Sequence, residues 1–141
     1  MTPRLLGFDH VHVHVRDRDA AEAWYARVLG FIRSSALESF AGNGGPLMIQ
    51  DPAGVVHLAL FASSTPPSVT TVALRVTSEA FVEWQAQLTR LGDVAVEFQD
   101  HEIAMSLYLR DPDGNTLEIT TYDYAAVKQA LKRPAAPASN P

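Results

Sequence analysis

The chain has no cysteine among its 141 residues. That excludes disulfides, thiolate metal ligands and a cysteine nucleophile, so any metal here must be held by His, Asp, Glu, Tyr or water. It also has no long hydrophobic run, which excludes a membrane-spanning helix. Basic residues are few: 11 Lys and Arg stand against 16 Asp and Glu, for a formal net charge of −5, and they form no stripe. Binding to a phosphate backbone is therefore not expected. Met1-Thr2-Pro3-Arg4 is followed by no apolar signal region, because Asp9 and His10 interrupt it, and a cytoplasmic location is the expectation. With 47% hydrophobic and 19% charged residues the composition is that of a soluble globular protein, and the length suits one compact domain.

Histidine is distributed unevenly. Three of the five histidines fall in Asp9-His10-Val11-His12-Val13-His14-Val15. A strand alternates faces with period two, so this segment puts valines on one side and imidazoles on the other. The valine face is a packing face and the imidazole face lines a polar cavity.

The chain also repeats itself. The His10–Val15 strand is followed by an amphipathic segment from Asp19 to Leu29, with Ala20, Ala23, Trp24, Arg27 and Val28 at helical spacing and Gly30 as the stop. Some sixty residues later, by the same count, Thr71-Val72-Ala73-Leu74-Arg75-Val76 leads into a helix over Ser78–Leu91, with Ser78 as N-cap, Phe81, Val82, Gln85 and Leu88 at helical spacing, and Gly92 at its end. Each half then reaches an Asp-Pro-x-Gly turn, Asp51-Pro52-Ala53-Gly54 and Asp111-Pro112-Asp113-Gly114, before a last strand. Pro presets the first turn dihedral and Gly supplies the positive one. The expected architecture is α+β: two βαβββ modules, residues 8–61 and 69–124, forming a curved mixed sheet around a concave cavity with helices on the convex side. One domain covers 1–124. Ala62-Ser63-Ser64-Thr65-Pro66-Pro67-Ser68 is the joint, Ala41–Pro46 is a flexible loop at the cavity edge, and a short helix over Ala125–Lys132 precedes a disordered tail over 133–141.

Parity between the halves assigns the faces. Val11, Val13, Val15, Val72, Leu74, Val76, Val56, Leu58, Leu60, Leu107, Leu109, Leu117 and Ile119 point to the core side. The opposite side carries His10, His12, His14, Thr71, Arg75, His57, Ser106, Tyr108, Arg110 and Glu118. A cavity lined by His10, His57, Tyr108 and Glu118 follows from that alternation.

The duplicated βαβββ pattern, the opening Asp9-His10-Val11, the helix with Trp24-Tyr25-Ala26-Arg27-Val28-Leu29-Gly30-Phe31, and the stretch from Ser106 to Glu118 through Asp111-Pro112-Asp113-Gly114-Asn115 resemble the vicinal oxygen chelate superfamily. That group contains glyoxalase I, extradiol dioxygenases and bleomycin-binding proteins. The resemblance implies a divalent metal ion, Fe, Mn, Ni or Zn, held by His10, His57 and Glu118, with Thr71 at a further position where relatives often carry His. It implies that Tyr108 contacts the substrate. Imidazole titrates near neutral pH, so His12 and His14 are candidates for proton transfer, and Arg75, Arg110, Thr71 and His101 for substrate contact. Such an ion binds two neighbouring substrate oxygens and stabilises the charge that develops between them. The function expected is a metal-dependent dioxygenase, lyase or isomerase acting on a small molecule, the alternative a metal-free, bleomycin-type sequestering protein. The resemblance also implies a homodimer.

Overall fold

The computed structural model describes Thr2, Leu6, residues 8–65 and residues 69–132. The expected disordered tail and the Pro66–Ser68 part of the joint lie outside the described residues. The element order is β1 (Val11–Val15), α1 (Arg18–Leu29), β2 (Ile32–Arg33), a 3-10 helix (Ser35–Asn43), β3 (Leu47–Gln50), β4 (His57–Ala62), then β5 (Thr71–Arg75), α2 (Ser78–Leu91), β6 (Glu97–Asp100), β7 (Met105–Arg110), β8 (Thr116–Thr121) and α3 (Tyr124–Leu131). Both βαβββ modules are thus present. Their strands are hydrogen-bonded as two four-stranded sheets, in the orders β1-β4-β3-β2 and β5-β8-β7-β6.

By backbone proximity the chain divides into two compact units. One runs through Val72 and takes in Arg110–Thr116; the other holds Ala73–Leu109 and resumes at Leu117. The Asp111 turn of the second repeat therefore belongs with the first unit.

In the first unit, β1 runs parallel to β4 with Val13 opposite Leu60, and β3 runs antiparallel to β4. Val13, Val15, Leu58 and Leu60 are fully buried, each burial contributing roughly 1.5–3 kcal/mol. Helix α1 starts at Asp17, whose carboxylate accepts the N–H groups of Asp19 and Ala20, and stops at Gly30 in the left-handed conformation. Its buried residues are Ala21, Tyr25, Val28 and Leu29. The expected stripe through Ala20, Ala23, Trp24 and Arg27 is therefore corrected by about one residue of helical phase. The cause is Tyr25, whose ring fills the core while its hydroxyl donates to Asp111 Oδ2 at 3.1 Å.

The expected loop at Ala41–Pro46 is also corrected, since its first residues close the 3-10 helix. Gly44 ends that helix at φ +74°, and a Cβ on Gly45 would clash with the Phe40 carbonyl oxygen. The Gly-Gly pair is thus required by a tight helix exit, and Arg18 pins it by donating to the Gly45 carbonyl at 2.7 Å.

In the second unit the N-cap of α2 is Thr77, whose hydroxyl accepts from Ala80 N–H, and not Ser78. Ser78 is buried, and its N–H donates to the Asp123 carboxylate at 3.3 Å. Phe81 and Leu88 of α2 and Leu107, Leu109, Leu117, Ile119 and Val127 form this unit's core, with Phe81 set edge-on to Phe98 of β6. Among the described residues no helix is long and apolar enough to cross a membrane.

Candidate functional site

The first unit carries the imidazoles. β1 turns Val13 and Val15 inward, which leaves His12 exposed and His14 half-buried on its other face. His10 lies just ahead of the strand, and its Nδ1 stands 2.5 Å from Asp9 Oδ2. The His10 hydrogen bond holds the Asp9 carboxyl below the ordinary aspartate range, against the opposing effect of burial, and the charge interactions with His10 and His57 act in the same direction as the hydrogen bond. The other nitrogen of His10, Nε2, stands 3.0 Å from His12 Nε2. The two rings lie within 12° of parallel with centroids 5.0 Å apart. A centroid separation so much longer than the nitrogen separation means that they meet edge to edge, not face over face.

Phe61 backs this face from β4, 4.6 Å from the His12 ring and 5.9 Å from the His14 ring, centre to centre. His57, the first residue of β4, is half-buried, and electrostatically it reaches Asp9 and Asp51. Thr71 is exposed at the start of β5. Its neighbour Thr70 donates a long 3.4 Å hydrogen bond to the His12 carbonyl. Arg110, proposed for substrate contact, is exposed and donates to the Gly114 carbonyl at 3.3 Å and the Thr116 hydroxyl at 3.2 Å. Those bonds tie it to its own turn.

The second unit carries a carboxylate held by hydroxyls. Parity along β7 and β8 puts Ser106, Tyr108, Glu118 and Thr120 on one face. Glu118 Oε1 accepts from Ser106 Oγ at 2.8 Å and from Tyr108 Oη at 3.0 Å. Ser106 is fully buried and also lies 2.9 Å from Thr120 Oγ1; with one hydroxyl proton, it donates to the carboxylate and accepts from Thr120. Burial, and the Glu118 carboxylate beside it, push the Tyr108 phenol above its ordinary value despite the opposing effect of Ser106. Tyr108 is therefore a neutral donor at physiological pH. His101 is exposed, yet its Nε2 stands 3.1 Å from Tyr108 Oη, so the network reaches the surface. Arg75 lies with its guanidinium carbon 5.4 Å from the centre of the Tyr122 ring.

The structure thus brings His10 to His12, and Tyr108 to Glu118, Ser106 and His101. Among the described residues no three His, Asp or Glu side chains form a group that could hold a metal ion. Two participants had no role in the sequence reading: Asp9, which fixes His10, and Ser106, which fixes Glu118. Both were visible as signals, Asp9 by adjacency and Ser106 by its shared parity with Tyr108.

The fold is similar to several solved structures. Lactoylglutathione lyase from Agrobacterium tumefaciens is 21% identical, with a TM-score of 0.66 over 84% of this chain and 96% of that one. The oxidase ChaP-H1 is 24% identical, with a TM-score of 0.64 over 85% and 98%. A glyoxylase/bleomycin resistance protein/dioxygenase domain from Frankia sp. EAN1pec is 22% identical, with a TM-score of 0.63 over 84% and 93%. At these identities the likeness establishes the fold alone. The family model of the glyoxalase/bleomycin resistance protein/dioxygenase superfamily matches residues 7–119, and the chain belongs to that superfamily.

Proposed function

We propose that the protein is a divalent-metal-dependent enzyme acting on a small molecule with adjacent oxygens, as a dioxygenase, lyase or isomerase, and that it works as a homodimer. The observation that carries this reading is the state of the candidate ligands, taken one at a time. His10 has Nδ1 occupied by a carboxylate, which orients the ring and leaves Nε2 as the donor, the arrangement usual for a metal-bound imidazole. Glu118 has one oxygen fixed by Ser106 and Tyr108, and among the described residues its Oε2 has no hydrogen-bond partner. Residue by residue, the donor chemistry fits a divalent ion such as Fe, Mn, Ni or Zn. When bound, such an ion polarises neighbouring substrate oxygens and stabilises charge developing on them.

The chain's own residues supply the rest. Ser106 holds the Glu118 carboxylate in one orientation from a fully buried position. Tyr108, kept neutral, offers its phenol proton to an anionic oxygen, and His101 at 3.1 Å offers a route by which that proton exchanges with solvent. Arg75, exposed beside the Tyr122 ring, is a cation available to a charged substrate group, whereas Arg110 would have to leave its bonds to Gly114 and Thr116 to serve the same end.

The test is metal analysis of tag-free protein together with thermal unfolding in Fe(II), Mn(II), Ni(II) or Zn(II), repeated on His10→Ala, His57→Ala and Glu118→Ala. The expected result is about one ion per chain in the wild type, a raised unfolding temperature, and loss of the ion in His10→Ala and Glu118→Ala. A wild type that takes up no stoichiometric metal and gains no stability from any of the four ions overturns the reading. It would favour a metal-free sequestering protein, for which the Phe61 ring against His12 and His14 supplies an aromatic face.

A further inference from the structure

We propose that His12 is a metal ligand alongside His10, the two Nε2 atoms holding one divalent ion between them. This inference rests on the metal-dependent reading above. It starts from a proton count. An ionised carboxylate only accepts hydrogen bonds, so the 2.5 Å contact of Asp9 Oδ2 with His10 Nδ1 places the hydrogen of a neutral His10 on Nδ1. The lone pair is then on Nε2, and what faces it at 3.0 Å is a second imidazole nitrogen, His12 Nε2. Two nitrogen lone pairs do not rest at that distance without positive charge between them. Either His12 donates a proton across the gap, or a cation occupies it.

The spacing suits a cation as well as a proton. Residues two apart on a strand face stand about 6–7 Å apart along it, which by itself separates the two side chains too far for one ion. His10, however, lies before the start of β1, and its ring leans back until the nitrogen edges meet. With nitrogen-to-metal distances of about 2.0–2.1 Å, two nitrogens 3.0 Å apart subtend an angle of about 90° at the ion. That is the angle between adjacent positions of an octahedron, so the pair is spaced as a chelate and leaves the remaining positions to other donors, water and substrate. Exchanging the bridging proton for a cation needs only a tautomer change in His12, with its hydrogen moving to Nδ1, and no net change in protonation. Phe61, 4.6 Å away, holds the His12 ring in place. His57, by contrast, makes no ring contact or hydrogen bond with either histidine.

The experiment titrates tag-free, metal-stripped protein with Ni(II) and with Zn(II), reading affinity and stoichiometry by calorimetry and ion content by elemental analysis. The variants are His12→Ala, His12→Phe, His57→Ala and Asp9→Asn, and metal-free unfolding of each checks that it folds. The expected result is one ion per wild-type chain, a loss of affinity of about 10- to 100-fold in both His12 variants and in Asp9→Asn, and a change within about threefold in His57→Ala. If the wild type binds one ion and the His12 variants bind it as tightly, this inference is overturned while the metal-dependent reading stands. If the wild type binds neither ion, both fall together.

Discussion

The turn at Asp51 and the turn at Asp111 are built from the same pieces. Each has Asp, then Pro, then Gly three residues after the Asp, with the Gly N–H donating to the Asp carbonyl and the Gly at positive φ, +68° at Gly54 and +86° at Gly114. They differ in what their side chains reach. The Asp51 carboxylate accepts from the N–H groups of Val55 and Val56 within its own turn, and Val55 is 76% exposed. The Asp111 carboxylate is buried and accepts from Asp113 N, Asn115 N, Asn115 Nδ2 and the Tyr25 hydroxyl. Asn115 in turn donates to the His14 carbonyl at 3.0 Å and accepts from Thr70 N–H at 2.8 Å, and Asp113 accepts from Arg16 N–H at 3.0 Å. What separates them is the residue after the glycine. Valine ends the network; an amide with a donor and an acceptor extends it to β1 and to Thr70, just ahead of β5.

The first way to break this comparison is by deletion. Asp111→Ala strands a buried tyrosine hydroxyl and an asparagine amide as well as two backbone donors, and should cost about 3–4 kcal/mol of unfolding free energy. Asp51→Ala should cost about 1 kcal/mol, since its donors turn to water. Urea unfolding of the two variants measures both, and equal losses would contradict the view that one turn ties the unit together and the other only shapes itself.

Acid sharpens it next. Burial works to raise the Asp51 carboxyl, but the N–H groups of Val56, Val55 and Ala53, helped by His57, together hold it below the ordinary aspartate value. A carboxyl lowered in the folded state contributes stability that is complete above the unfolded value and lost as pH falls through the folded one. Asp51→Ala should therefore lose less stability than the wild type between neutral pH and about pH 3, as followed by unfolding at stepped pH. An identical acid limb in both proteins contradicts this.

The smallest effect concerns the glycines. A Cβ on Gly54 would meet Gln50 Nε2 at 3.4 Å and one on Gly114 would meet Val69 Cγ1 at 3.7 Å, both ordinary contacts. Only the positive φ then opposes alanine, so Gly54→Ala and Gly114→Ala should each cost about 1 kcal/mol and differ by less than about 0.5. A much larger loss at Gly114 would mean that its turn is strained by packing as well as held by hydrogen bonds.

Much of this was legible in the sequence. Alternation gave the inward valines of β1, and the repeat gave the two modules and both turns, because these are local patterns of period two, helical spacing and turn chemistry. The phase of α1 was not legible, because Tyr25 is drawn inward by Asp111, 86 positions along the chain. The 3-10 helix was not legible because the glycines and Pro46 of Ala41–Pro46 read as loop chemistry, although the first of these residues close the helix. At the candidate site, parity put Tyr108 and Glu118 on one face, and the structure adds their 3.0 Å contact. The meeting of His10 and His12 ran against strand spacing, and depends on His10 lying outside the regular strand, a boundary that alternation does not mark.

The placement of the Asp111 turn has a consequence for dissecting the molecule. The sequence invites a cut at the joint, between one copy of the motif and the next. A fragment ending there would lack the acceptor for the Tyr25 hydroxyl and the amide that caps the end of β1, so its helix and first strand would each lose an anchor supplied by residues some fifty positions downstream of the cut. The seam left by duplication is therefore not a seam in folding. The first copy depends on the second, and an excised first repeat is expected to regain its order only when the turn carrying Asp111 and Asn115 is added back.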